Sequence, residues 1–420
     1  MPATTADIDI KGFSGMNNVK RDENFYSAEG IAEPKITLNA DVGITQSIVA
    51  RPGTTKVISL TGAHSLWAGL SCMLCVAGES LYRISQGEAV LIAEIGDRGF
   101  AISYVEIDDR VYFSNQYCQG VFDPATNTVS AWGVLPPVGP MLLTGSGSLA
   151  PGTYNVTMTL ASGDEMSGTG PISSIELFAE GGIQVINRPS GATVWCTDAN
   201  EFIFYRIGQT NSIPSVQTVE PCPSLMCSPP PFLSNLCYAF GRVWGASGKT
   251  VYYSQPFEFG WFRLAANRFE FESDVTVIAK VPTGLFIGMK NKTRFLMGTE
   301  PEQMQQMDAG AGSVPGTLAY CNNVPYLADI LGTPEKGYVD VPIWVTAEGI
   351  VAGNASGRFF NLTKNKLMFG TPERGASLYR DQKGVFQFLS SFKSGVAGSG
   401  AGFSDEATCE VFRNGTLVPA

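Results

Sequence analysis

Hydrophobic and polar positions along this chain alternate in short runs, without the three-to-four spacing of a helix. In residues 154–160, Tyr154, Val156, Met158 and Leu160 alternate with Asn155, Thr157 and Thr159, the pattern of a strand with one buried face. Elsewhere apolar runs of about 5–7 residues recur, the usual length of a strand. One phrase keeps returning: a strand, a turn carrying Gly or Asp, and a strand ending in an aromatic. It occurs in HSLWAGLSCMLCVAGESLYRI (residues 64–84), AISYVEIDDRVYFSN (101–115) and, twice over, LCYAFGRVWGASGKTVYYSQP (236–256). VTVIAKVPTGLFIGMKNKTRFLMG (275–298), VDVPIWVTAEGIVAGNASGRFFNLT (339–363) and ASLYRDQKGVFQFLS (376–390) continue it. Gly248, Asn291 and Gly357 stand where the turns call for positive φ. Units returning every ~25–45 residues predict an all-β chain built as a β-propeller. A plain multi-sheet β-sandwich satisfies the same periodicity.

Residues 139–222 break the rhythm. The alternating segment 154–160 is followed by ISSIELFAEGGIQVI, in which residues 175–178 and 183–186 bracket a Gly-Gly pair and read as a hairpin. Residues 202–207 read as a further strand with an aromatic face. About seven strands in this span predict an inserted Ig/fibronectin-III-like β-sandwich, entered through LPPVGP and left through PCPSLMCSPPPF, the stiff flanks that suit an insertion. The predicted organisation is an N-terminal arm with the first part of the propeller (1–138), the insert (139–222), the rest of the propeller (223–392), and a Gly/Ser linker with a C-terminal strand (393–420). Near the start, residues 12–25 read as a loop, residues 35–45 as a strand, and 50–56 as a turn. The closing CEVF is expected to add a strand to another sheet on assembly.

Composition narrows the functional classes. With 44% hydrophobic residues in 420, a packed chain is expected. The 47 Gly and 25 Pro supply the turns that many short strands need. No apolar run reaches about 18 residues, so no membrane span is expected. The N-terminus lacks a basic segment followed by an apolar one, so folding in a cytoplasm is expected. Nine Cys without regular spacing suit buried thiols better than a disulfide framework. The net charge of −10, with no block of Lys or Arg, argues against a dedicated DNA grip.

Candidate chemistry is sparse. GASGKT (residues 245–250) looks like half of a phosphate-binding loop, but Val243 occupies the first Gly position. The segment TVYYSQPFEF after it is β-branched and aromatic and starts no helix. A hairpin turn is the simpler reading. His64 is the sole histidine, and no nucleophile signature surrounds it. Cys72 and Cys75, with Cys222 and Cys227, could supply four thiolates to zinc, but Cys72 and Cys75 read as opposite faces of one apolar strand. Glu106, Asp108 and Asp109 flank a turn, and Glu270, Glu272 and Asp274 read as a solvated strand edge, not an acid/base pair. Met304 and Met307 suggest a short helix with an i, i+3 stripe. No catalytic, cofactor-binding or metal-ligating residue is assigned.

The order of several segments is distinctive. GMNNV, ARPGTTKV, SLWAG…ESLYRI, the insert LAPGTYNVTMTLASGDEMSGTGP…FYRIGQT, and GRVWGASGKTVYYSQP followed by VPTGLFIGMKNKTRFLMGTEP together resemble tailed-phage and prophage virion proteins. These are the β-propeller tail-nozzle or tail-hub subunits of short-tailed phages. The resemblance implies a structural protein of the tail or head–tail connector, without enzyme activity or cofactor, made in the bacterial cytoplasm and located in the virion. It implies self-association into a ring, typically a hexamer, in contact with adaptor, portal and other tail proteins, with DNA passing through the bore at ejection. An acidic bore would let the genome slide without sticking. A receptor-facing tail-tip protein and a propeller glycan hydrolase or lyase are the alternative expectations.

Overall fold

The computed structural model describes residues 10–13, 17–20, 29–34, 40–42, 46–50, 56–321, 340–363, 366–367, 369, 372–382, 385–394, 409–413 and 416–419. Among them the regular structure is β-strand, with one 3-10 turn at Pro301–Gln303. The chain divides into two compact units, Ile58–Phe271 and Met1–Val57 together with Glu272–Ala420.

In the unit Ile58–Phe271, three four-stranded antiparallel sheets each run in chain order. The first is Ala63–Ala68, Met73–Ala77, Ser80–Ser85 and Glu88–Glu94; the second is Ser103–Ile107, Arg110–Ser114, Gln119–Asp123 and Thr128–Ser130. The third is Ser234–Ala239, Arg242–Ser247, Thr250–Tyr253 and Arg268–Glu270. The other unit repeats the plan. Its sheets are Val275–Val281 through Gln305–Ala311, Ala319–Cys321 through Phe359–Asn361, and Pro372–Gln382 through Thr416–Pro419. Four-stranded meanders in succession are the unit of a β-propeller, and the fold is of that class.

Strand composition explains why these sheets pack. GLFIGM and VPIWVT are buried at every position, as strands covered on both faces must be. In the third sheet Trp244 is fully buried, with ring centroids 4.8 Å from Tyr253 and 6.2 Å from Phe269, and its indole N–H donates to Ala239 O at 3.0 Å. The turns follow local chemistry. Asp108 and Asp109 both take positive φ, 49° and 60°, so the hairpin Ile107–Arg110 closes on a two-residue turn of the primed type. Gly248 (58°) and Gly357 (77°) behave as expected. Asn291 does not: it is absent from the positive-φ positions. Gly288 pairs with Thr293, which leaves a four-residue loop, a length closed without a left-handed residue.

Residues 139–222, the expected insert, form two sheets over one core. Leu142–Leu149, Gly181–Val185 and Ser212–Ile213 form one; Ser173–Leu177, Gly152–Thr159, Thr193–Thr197 and Phe204–Gly208, in that spatial order, form the other. Tyr154, Val156, Met158, Ile183, Val185, Val194 and Cys196 fill the space between, all essentially inaccessible to solvent. The alternation read at 154–160 therefore marks the inward face. The expected hairpin around the Gly-Gly pair is corrected. Ser173–Leu177 pairs with Gly152–Thr159, whereas Gly181–Val185 pairs in the opposite sheet. Those glycines serve close approach: a Cβ on Gly182 would lie 2.3 Å from Ser146 O, at the bulge in the Leu142–Leu149 pairing.

Two other expectations change. Met304 and Met307 share no helix, because Met304 ends the 3-10 turn and Met307 lies in the strand Gln305–Ala311. The closing strand Cys409–Arg413 is taken up by its own chain, pairing with Val385–Ser394 from Ser391↔Cys409 onward. Much of the loop expected at residues 12–25, most of the strand at 35–45, residues 51–55 of the turn at 50–56, and residues 395–408 of the Gly/Ser linker lie outside the described residues.

Candidate functional site

Every sequence-level candidate for chemistry among the described residues has a structural occupation. GASGKT is a hairpin turn: Ser247 pairs with Thr250 across Gly248 and Lys249, with strand on both sides. No helix N-terminus is there to hold a phosphate.

His64 lies in a joint between the first and second sheets. Its Nδ1 is 2.9 Å from Ser65 Oγ and its Nε2 is 3.1 Å from the buried Asp97 carboxylate. Asp97 also accepts from Asn115 Nδ2 at 2.6 Å and from Gly99 N–H at 2.8 Å. The order of groups resembles a hydroxyl–imidazole–carboxylate relay. However, Ser65 follows His64 directly, sits at φ 53° in the bulge of the strand Ala63–Ala68, and its Oγ accepts the Ile102 N–H at 2.9 Å. Those contacts tie the strand edge to the loop after Glu88–Glu94, as bulges at sheet edges do. Sequence reading missed Asp97 and Asn115, because nothing local marks two polar residues 18 positions apart as hydrogen-bonded partners.

The thiols are spent on packing. Cys72 stands just outside the strand Met73–Ala77, which contains the buried Cys75. Among the described residues no group of three metal-ligating side chains converges. Burial raises every thiol for which a shift is resolved, Cys196 to about 12 and Cys118 and Cys222 to about 11. The expected strand edge of carboxylates is not formed: Glu270 ends the strand Arg268–Glu270, while Glu272 and Asp274 lie outside any strand. Glu106 receives the backbone N–H groups of Leu70 and Ser71, at 2.5 and 2.9 Å, and so clasps the hairpin of the neighbouring sheet. Glu272 is bound by Arg294 and Lys292, and Arg294 also reaches Asp308. Hydrogen bonds from Arg294 first and Lys292 second hold Glu272 down at about 2.

What remains conspicuous is the insert. Its base is clamped to the unit that carries it. Ser224 Oγ donates to Ser167 O at 2.8 Å, Met226 N–H donates to Thr169 Oγ1 at 2.9 Å, and the Trp261 indole N–H donates to Met166 O. A Cβ on Gly168 would overlap Cys227 O, so only glycine permits this seam. The second proline-rich flank is thus hydrogen-bonded to the base of this segment. At the opposite end of its strands the insert presents the loops 178–180 and 198–203. Phe178 is 85% and Phe202 84% exposed, with Ile203 half exposed beside them. The strand read at 202–207 begins only at Phe204, which leaves Phe202 outside the sheet. Both loops flank Gly152. Leu177 pairs with it from one side, and Ala199 and Asn200 lie against it on the other.

Comparison with known proteins adds no identity. No protein-family model matches the chain, and no curated protein does. Solved structures overlap it loosely. BBS1N in complex with ARL6DN matches at 9% identity over 81% of this chain and 92% of that one, TM-score 0.32. AztD of Citrobacter koseri matches at 11% over 80% and 76%, TM-score 0.32. A eukaryotic initiation factor matches at 10% over 92% and 95%, TM-score 0.30. Likenesses this weak carry no argument about what the chain does. Among the described residues, no helix is long and apolar enough to cross a membrane.

Proposed function

We propose that the chain is a structural virion protein of a phage tail or head–tail connector. In this reading it is a propeller with an Ig/fibronectin-III-like insert that self-associates into a ring, typically a hexamer, through whose bore DNA passes. The observation that carries this reading is the insert's construction: a base locked to its sheets by hydrogen bonds and a free end with two almost fully exposed phenylalanines. A monomer that works alone gains nothing from such an end, and large apolar side chains exposed this fully at one end of a sandwich suit a contact surface. The segment order that resembles nozzle and hub subunits supplies the class of assembly. The Ig-like assignment of the insert rests on its three-plus-four strand sandwich and on Tyr154, whose hydroxyl donates back to Ala150 O at 2.9 Å, a corner that such sandwiches use.

The net charge of −10 fits a conduit, since a negative wall repels DNA and leaves it mobile. The same exposed phenylalanines favour a second reading, a receptor-facing protein at the tail tip. Native mass spectrometry of the purified chain tests the first. A closed oligomer of one size supports it, and a strictly monomeric chain at all concentrations removes it.

A further inference from the structure

The insert concentrates negative charge. Residues 139–222 hold seven carboxylates against two arginines and no lysine. Both arginines are engaged, and neither stands in the two loops of the free end. Arg188 donates to Asn211 Oδ1, Pro189 O and Ala192 O, and Arg206 lies 3.4 Å from Glu220. Three of the carboxylates, Glu180, Asp198 and Glu201, stand in the two loops that carry Phe178 and Phe202, all exposed, and neither loop contains a cation. The free end therefore presents two exposed phenylalanines in loops whose charges are all negative.

The loop 198–203 is also held in place. Asn200 N–H donates to Thr153 O at 2.8 Å while Asn200 Oδ1 accepts the Thr153 N–H at 3.1 Å. Glu201 N–H donates to Asp198 O at 3.2 Å, closing the turn. Gly152, at φ 153°, lets the loop 198–203 approach the strand Gly152–Thr159; a Cβ there would stand 3.0 Å from both Ala199 Cβ and Asn200 Nδ2. Phe178 follows the strand Ser173–Leu177 and Phe202 lies two residues before the strand Phe204–Gly208, three strand spacings or about 14 Å away across that sheet. A fixed loop loses little entropy on binding, so Phe202 is presented preorganised.

We infer that the free end of the insert is a docking surface for another protein that offers an apolar socket rimmed by lysine or arginine. Charge complementarity selects that occupant. Nucleic acid and an anionic lipid surface would both be repelled by Glu180, Asp198 and Glu201. A second insert would oppose like charge with like. The inference rests on the insert being an assembly module, but not on ring closure.

The test uses the full chain and a fluorescent amphipathic peptide of Leu and Lys, with matched Leu/Glu and Ser/Lys peptides as controls, read by anisotropy. The Leu/Lys peptide is expected to bind best, and raised salt to weaken it. Phe178→Ser and Phe202→Ser are each expected to weaken it by about tenfold or more, as central aromatic anchors do. The triple variant E180K/D198K/E201K is expected to shift preference to the Leu/Glu peptide, with its circular dichroism unchanged. Binding that ignores the phenylalanine substitutions, or equal binding of Leu/Lys and Ser/Lys, overturns the proposal by reducing the surface to general acidity. Self-association lost on Phe178→Ser, without peptide binding, overturns it in favour of a second copy. Native mass of the same variants keeps the ring separate: a monomeric chain that still binds Leu/Lys at this end sinks only the ring.

Discussion

Residues 243–253 hold two predictions of opposite size within one hairpin. If VWGASGKTVYY is strand, turn and strand, its weight lies in Trp244 and none in Lys249. Trp244→Ala deletes a fully buried indole packed on Tyr253 and Phe269 and strips Ala239 O of its 3.0 Å donor. Removing a buried Trp costs about 3–5 kcal/mol, and the lost hydrogen bond about 1 kcal/mol of that kind of total. Lys249→Ala, at the hairpin turn, should change stability by no more than about 0.5 kcal/mol. Urea unfolding followed by far-UV circular dichroism reads both, since it does not depend on the indole being removed. Nucleotide binding is measured on the Lys249 variant in parallel. A loss above about 2 kcal/mol at Lys249, or a nucleotide affinity that vanishes with it, would refute the hairpin account; so would a cost below about 1 kcal/mol at Trp244.

Further predictions concern the insert and the titrating groups. Tyr154→Phe should cost about 1–2 kcal/mol, by leaving Ala150 O without its donor at 2.9 Å, measured as a shift of the urea midpoint against wild type. Glu272 is held at about 2 by Arg294 and Lys292, so its contribution is present above the ordinary carboxylate value near 4.5 and is lost as pH falls through about 2. Glu272→Gln should flatten that acid limb of thermal stability, and high salt should mimic it. At the other extreme, burial first and Asp198 second raise Cys196 from 9.0 to about 12, while Cys118 and Cys222 rise to about 11. Their neutral thiols favour the folded chain up to about pH 9, and that support disappears as pH climbs through 11 to 12. In native buffer Cys196 should resist Ellman's reagent until urea unfolds the insert, and ready labelling would contradict its burial.

Much of the fold was legible because strand period and turn chemistry are local. Trp244, Gly248 and the Asp108–Asp109 turn announce themselves within a few residues. The Gly-Gly pair at 181–182 misled because glycine signals either a turn or a close approach, and only the partner at Ser146 decides which. Asn291 misled for a related reason: loop length, set by the Gly288–Thr293 pairing, overrode residue preference. The 3.1 Å contact of His64 with Asp97, the hydrogen bond from Asn115 to Asp97, and the Glu106 clasp on Leu70 and Ser71 join residues distant in sequence that no local pattern couples. The free end of the insert was half visible. Phe178 and Phe202 were read as strand residues, and a two-residue shift in where the strand begins turned Phe202 into a surface contact.

The central claim is that this chain acts as one subunit of a hollow ring. Negative-stain electron microscopy of the purified full-length protein tests it most directly. The account predicts annular particles of uniform diameter with a stain-filled centre. A field of solid single particles, unchanged across protein concentration, would contradict it.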